Sequence, residues 1–218
     1  MRLHNIPDAK ERLEQCPNYI KNPEEWLGKW AEYFGNNHDI HIEIGAGKGR
    51  FIATLAQQHP EINYIAIERS ATVLLQLGKK LPESGLQNLA IISIDAAELD
   101  KCFDAGEIAK IYLNFSDPWP KKKHAKRRLT ALGFLKLYKK ILMGDGLLEF
   151  KTDNRGLFDF SLEELGQSDF EVTAYTYDLY NSPYLEGNIP TEYEERFHKL
   201  GVPINKLFAR IKEGGKES

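Results

Sequence analysis

Short apolar segments that read as strands alternate with segments of helical period from residue 41 to residue 151, and this alternation constrains the fold more than any other feature. His41–Ile44, Asn63–Ile67, Leu89–Ile94, Lys110–Phe115 and Gly146–Lys151 have strand character. Between the first three lie helical stretches at Phe51–His59 and Ala71–Leu81, and a longer one carries Ala131, Phe134, Leu135, Tyr138, Ile141 and Leu142 at helical spacing. Two late strands are expected over Phe170–Tyr177 and Lys206–Ile211. A chain alternating in this way builds an α/β fold, here a mostly parallel seven-stranded sheet with helices on both faces. Runs such as Ile91-Ile92 suit strands buried on both sides. Right-handed crossovers bring the strand C-terminal ends to one edge, and ligands of open α/β sheets bind there. The residues just after each strand are therefore where chemistry should be sought.

With 218 residues, the chain fits one domain with small additions. Residues 1–37 are expected to form an N-terminal helical cover on a domain over 38–218. In that cover, Asn22, Pro23, Glu24 and Glu25 read as a helix start and Gly35 as its end. Residues 181–203 show no clear period, and a connection that long is usually functional. No apolar run approaches the roughly 18 residues a membrane span needs. Met1–Pro7 is followed by charges and not by an apolar signal core, so a cytoplasmic protein is expected. Cys16 and Cys102 read as reduced and structural, and His4, His38, His41, His59 and His198 have no metal-like spacing. A net charge of −3 argues against a general polyanion binder but leaves room for a local basic patch.

Glu43-Ile44-Gly45-Ala46-Gly47-Lys48-Gly49 leaves the first strand and opens the first helix. Glycines there let backbone approach a ligand, and a helix N-terminus offers free N–H groups. The dinucleotide pattern fails at Arg50, the P-loop pattern fails as well, and Gly45, Gly47 and Gly49 fit G-x-G-x-G. Glu68 ends the second strand, where a carboxylate can accept from a ribose diol. Asp95 follows the third and could accept from an adenine amine. With Glu43, these acids suit a cationic nucleoside. S-adenosylmethionine, with its sulfonium, ammonium, ribose diol and adenine amine, has that character, and the set resembles class I S-adenosylmethionine-dependent methyltransferases of Rossmann-like fold.

After the fourth strand comes Asn114-Phe115-Ser116-Asp117-Pro118-Trp119-Pro120, running straight into Lys121-Lys122-Lys123-His124-Ala125-Lys126-Arg127-Arg128. The prolines restrict the backbone around Asp117. Trp119 offers a face on which a base could stack, or a ring for ordinary core packing. The basic run, continued by Lys136, Lys139 and Lys140, reads as a phosphate-binding patch beside the expected active-site edge.

At these residues the chain resembles the bacterial tRNA (guanine-N7-)-methyltransferases. The similarity runs from the glycine loop to the last strand. It is most specific at Asp117–Arg128, at Phe150–Asn154 and at Thr191-Glu192-Tyr193-Glu194. The resemblance implies S-adenosylmethionine as cofactor, held by Glu43, Gly45, Gly47, Gly49, Glu68, Asp95 and Asp117, with Asp117 also catalytic. It places Lys121, Asp153, Thr191, Glu192, Tyr193 and Glu194 against the substrate guanosine. Lys122, Lys123, His124, Lys126, Arg127 and Arg128 would contact RNA. The implied target is the guanine at position 46 in the tRNA variable loop. No metal, membrane or obligate protein partner is expected, and the protein would work as a monomer or homodimer.

Guanine N7 has a free lone pair at neutral pH, so placement should dominate its methylation. Guanine's N1–H and N2 amine are donors, which carboxylates such as Asp153, Glu194 and Asp117 can accept. Thr191 and Glu194 also have the spacing of a capping box. Three rivals remain at this stage. One is an amino methyltransferase acting on an exocyclic adenine or cytosine amine, disfavoured because Trp119 separates Pro118 from Pro120. The others are a small-molecule methyltransferase of the same fold and an RNA-binding module without catalysis.

Overall fold

In the computed structural model, residues 6–213 are described. The expectation for the N-terminus falls partly on residues 1–5, outside them. Two units are distinguished, the first running to Asp104 and the second starting at Ala105.

The first unit begins with a helix, α1 (Ala9–Leu13), and a short strand, β1 (Tyr19–Ile20). Neither was expected, since five and two residues are too few to show a period. The helix expected from Asn22 to Gly35 is two pieces: a 3-10 turn, Pro23–Trp26, and α2 (Trp30–Phe34). Asn22 donates to the Glu25 carboxylate at 2.9 Å instead of capping. Leu27 is extended at ψ 117° and Gly28 is left-handed at φ 70°, which breaks the helical path. Gly35 does end α2, in the left-handed conformation. The break lets Trp30 turn inward. Its indole donates to the Cys102 carbonyl at 2.9 Å and its ring stacks on Phe103 at 5.4 Å.

Strands and helices then follow, all expected except the two short helices that end the list: β2 (Ile40–Ile44), α3 (Arg50–Gln58), β3 (Asn63–Ile67), α4 (Ala71–Gly78) and β4 (Leu89–Ile92), with α5 (Leu81–Ser84) before β4 and α6 (Leu99–Cys102) after it. The strand order is β1-β4-β3-β2 and all pairings are parallel. All of β3 and β4 is buried, as the apolar runs Tyr64–Ile67 and Leu89–Ile92 require. On α4, Gly78 allows close packing, because a Cβ there would lie 2.9 Å from the Cys16 sulfur and 3.2 Å from Leu13.

The second unit comprises β5 (Ile108–Asn114), α7 (Leu132–Ile141), β6 (Leu142–Thr152), α8 (Arg155–Gly166), β7 (Phe170–Thr176), α9 (Glu192–Lys199) and β8 (Asn205–Ile211). Its order is β5-β6-β8-β7, with β5 and β6 parallel and the other pairs antiparallel. Eight strands occur among the described residues, one more than the seven expected, and β1 is the addition. The expected face of α7 is buried at Leu135, Tyr138 and Ile141. Helix α8 was not foreseen, although Asn154 caps it by accepting from the Leu157 amide at 2.8 Å. The connection over 181–203 is more ordered than its sequence suggested, since it contains α9. Thr191 caps that helix, its hydroxyl accepting from the Glu194 amide at 2.9 Å.

Glu149 of β6 lies between Lys110 of β5 and Lys206 of β8, each at 2.8 Å. Burial works against its charge, but the two lysines override burial and hold its carboxyl below the usual range. This triad, with Glu149 and Lys206 buried and Lys110 half-buried, ties the three strands together on one face.

Candidate active site

In the first unit, the glycine loop leaves β2 and turns into α3. Gly45, Gly47 and Gly49 have φ of 80°, 58° and 74°, conformations open to glycine but costly for other residues. The amides of Gly45 and Ala46 both donate to the Ile67 carbonyl at the end of β3, at 2.8 and 2.9 Å. The three glycines differ in purpose. A Cβ on Gly45 or Gly47 would meet nothing within 4 Å, whereas one on Gly49 would lie 2.3 Å from Leu77 of α4. Gly49 is required for packing, and the first two keep open space above the loop.

Glu68 links loop and helix. One carboxylate oxygen accepts from the Gly47 amide at 3.2 Å and the other from the Ser70 amide at 2.9 Å, at the entrance to α4. Asp95 caps the 3-10 turn Ala96–Glu98 by accepting from the Ala97 amide at 3.0 Å, and its other oxygen lies 3.6 Å from Arg69. Glu43 is buried at the end of β2. Thus the structure orders the three acids of this unit at three successive strand ends, around a loop with open space. Carboxylates there fit the ribose, ammonium and amine groups of a cationic nucleoside.

In the second unit, β5 ends at Asn114 and the chain enters a strained turn. Phe115 and Trp119, two residues either side of Asp117, have φ of 51° and 42°. Left-handed backbone at such residues costs roughly 1–3 kcal/mol each and persists only where surroundings impose it. The Phe115 amide donates to the Lys151 carbonyl at 2.9 Å. The Trp119 ring is half-buried, with the His124 ring edge-on at 5.6 Å and the Arg127 guanidinium 5.0 Å from its centre. Asp117 itself is exposed.

The basic run forms a 3-10 turn, Lys122–Arg127. Lys121, Lys122, Lys123, Lys126 and Arg127 are exposed and His124 is half-buried. Arg128 departs from the group: its guanidinium donates to the carbonyls of Pro118 and Trp119 at 3.0 and 3.1 Å. Farther on, Lys139 pairs with Asp169 at 3.2 Å, so the continuation of the patch along α7 is partly neutralised.

Near the ends of β6 and α9 the expected substrate residues separate into two groups. Tyr193 is 44% exposed, stacks on Phe197 at 4.3 Å and leans on Phe115 at 5.1 Å. Burial, then the Asp153 charge, raises its phenol above the ordinary range. Burial also raises the Asp153 carboxyl. Glu194 faces inward, fully buried. It accepts from the Lys151 ammonium at 2.7 Å, from Asn188 at 2.7 Å and from Tyr180 at 3.3 Å. Lys151, equally buried, also donates to the Asn188 side chain and the Ile189 carbonyl, each at 3.0 Å. Sequence reasoning did not foresee this network. Its one signal was a lysine ending the expected strand Gly146–Lys151, which must find a partner when buried.

A family model described as "Putative methyltransferase" matches residues 37–207. A tRNA (guanine-N(7)-)-methyltransferase of Listeria welshimeri is 53% identical over 212 residues, covering 97% of this chain and 99% of the relative. The chain belongs to the tRNA (guanine-N(7)-)-methyltransferase family. Other members include those of Lachnoclostridium phytofermentans, 52% identical over 96% of this chain and 98% of theirs, and Brevibacillus brevis, 48% identical with the same coverage. Among solved structures, the 16S rRNA methyltransferase KamB aligns with a TM-score of 0.65 at 13% identity, covering 85% of this chain and 93% of its own. An antibiotic-related methyltransferase aligns at 0.61 and 20% identity, covering 84% and 92%. These likenesses show the methyltransferase fold that the resemblance of the glycine loop and its acids implied.

Proposed function

We propose that the protein transfers a methyl group from S-adenosylmethionine to N7 of a guanine in tRNA, the guanine at position 46 of the variable loop. The observation that carries the reading is Asp117, an exposed carboxylate in a rigid turn that continues directly into a turn of exposed cations. Near-full-length relatives bearing the activity in their names support it.

When bound, S-adenosylmethionine supplies an electrophilic methyl on a sulfonium. Glu68 would accept from its ribose hydroxyls, Asp95 from the adenine amine, and Glu43 and the loop of Gly45, Gly47 and Gly49 would accommodate the remainder. That methyl donor would suit guanine N7, whose free lone pair needs no deprotonation and whose ring gains positive charge on methylation. Asp117 stabilises that charge and orients the base. Asp153 accepts from the base's donor edge, Lys121 and Glu192 lie at its margin, and Tyr193 supplies an aromatic surface. Glu194 and Thr191 hold this segment in place, the one through Lys151 and the other as helix cap. Lys122, Lys123, His124, Lys126 and Arg127 face the phosphates, offsetting the few kcal/mol of unstacking the base.

Residues 6–37 pack within the first unit as its N-terminal cover, and 181–203 act as the substrate-recognition insert of the second. Among the described residues no helix is long and apolar enough to cross a membrane. We place the protein in the cytoplasm, acting on tRNA as a monomer or homodimer without an obligate protein partner.

The test is methyl transfer from labelled S-adenosylmethionine to unmodified tRNA transcripts, mapped by chain cleavage specific for N7-methylguanine. Label at the variable-loop guanine, absent when that base is adenine, is expected. Label elsewhere, or none, refutes the assignment. Asp117→Asn should retain cofactor binding and lose most turnover; wild-type turnover would refute its role.

A further inference from the structure

Arg128 closes the basic run, yet its surroundings differ from those of its neighbours. Lys122, Lys123, Lys126 and Arg127 are exposed, while Arg128 is half-buried and its guanidinium lies 4.3 Å over the Phe160 ring of α8. Its two acceptors are informative. Nε donates to the Pro118 carbonyl at 3.0 Å and Nη2 to the Trp119 carbonyl at 3.1 Å. Those carbonyls belong to the two peptide groups that flank the Trp119 α-carbon, the one with φ of 42°. A planar guanidinium presents parallel N–H donors in a fixed fork, so gripping both peptide groups fixes the torsions between them.

The consequence reaches Asp117. Left-handed backbone at a tryptophan relaxes unless it is held. Pro118 has its φ fixed by its ring, so only its ψ can take up a rotation at Trp119, and the remainder passes to Asp117. We propose that Arg128 is a positioning residue for methyl transfer and not an RNA contact: it clamps both peptide groups of Trp119 and so holds Asp117 where it acts. The Phe160 ring covers one face of the guanidinium and restricts its swing towards a phosphate.

The inference rests on the methyltransferase reading, and Arg128→Lys separates the two. Lysine keeps the charge, so it would serve nearly as well against a phosphate, but a single ammonium cannot reproduce the fork. The variant should lower kcat for tRNA methylation about 10–100-fold, as small misplacements in active sites do. Its KM for tRNA and the salt dependence of tRNA affinity should stay within twofold of wild type. Lys123→Ala, removing an exposed cation of the same turn, should raise KM and flatten the salt dependence. Amide hydrogen exchange over residues 115–121 should be faster in Arg128→Lys than in wild type. Wild-type kcat in Arg128→Lys, or unchanged exchange over that segment, overturns the clamp. So does a salt dependence in Arg128→Ala flattened as in Lys123→Ala. Faster exchange in the variant of a protein that never methylates tRNA overturns the functional reading and leaves the clamp standing.

Discussion

Removing Glu194 should strand a buried ammonium, and the size of the loss follows from the distances. Glu194 and Lys151 are both fully buried, 2.7 Å apart. At an effective dielectric of 20, Coulomb attraction at that distance is about 6 kcal/mol, much of it cancelled by desolvation of the two ions. Breaking such a pair from one side typically costs about 3–5 kcal/mol, because the remaining charge stays buried. Glu194→Ala should therefore lower unfolding free energy by about that amount, measured by urea unfolding followed by circular dichroism. Lys151→Met in the Glu194→Ala background should cost less than in wild type by about 2–3 kcal/mol. Acidity provides a second signature. Burial lowers the Lys151 pKa and Glu194 opposes that shift. Without Glu194 the folded-state value drops further below the unfolded one. Between the two, the unfolded chain binds more protons than the native chain, so stability rises with pH. From about pH 7 to about pH 9 the variant should regain stability relative to wild type. A loss under about 1 kcal/mol, with parallel pH profiles, would mean that the pair is neither charged nor buried in solution.

Further outcomes follow from the glycine loop, Asp153 and the basic turn. Gly49→Ala forces a methyl to 2.3 Å from Leu77 at φ 74°, and should cost roughly 1–3 kcal/mol. An unchanged thermal midpoint would contradict the packing role. Asp153 must be ionised to accept from guanine, and its carboxyl is raised by burial. The acid limb of kcat/KM should therefore lie above the ordinary carboxylate value of about 3.9, with activity falling as pH drops through it. An acid limb that persists in Asp153→Asn would belong to another group. Each alanine at Lys122, Lys123 or Lys126 should reduce the salt slope of tRNA affinity by roughly 0.7–0.9; unchanged slopes would remove the phosphate contacts.

The repeated strands were legible because period and burial agree there. Asn63–Ile67 was read to the residue, since the apolar run Tyr64–Ile67 leaves one solution. Helix α8 escaped because Ser161 interrupts its inward face while Phe160 lies off it, blurring the helical pattern. The Asn22–Gly35 helix was overextended because Pro23 and Gly35 do mark helical ends, while Asn22 does not cap and the break comes from Leu27 and Gly28 inside. Among site residues, the acids at strand ends were legible from position alone. The inward turn of Glu194 depends on a lysine 43 positions upstream, and that of Arg128 on carbonyls 9 and 10 positions away. Residue type announced charge at both places, and only tertiary structure decided whether the charge faced tRNA or the chain itself.

The Lys151 network also bears on how the segment between β7 and β8 could be inherited or exchanged. The segment looks modular, a connection between β7 and β8 that carries its own capped helix. Its lock, however, lies on β6, outside any cassette cut at the segment's ends. A chimera that imports a foreign 179–199 stretch without a matching residue at 151 would strand either a cation or an anion in the interior. Recombination across this region must therefore carry β6 with it, so the unit of exchange is the block from β6 to β8 and not the visible loop.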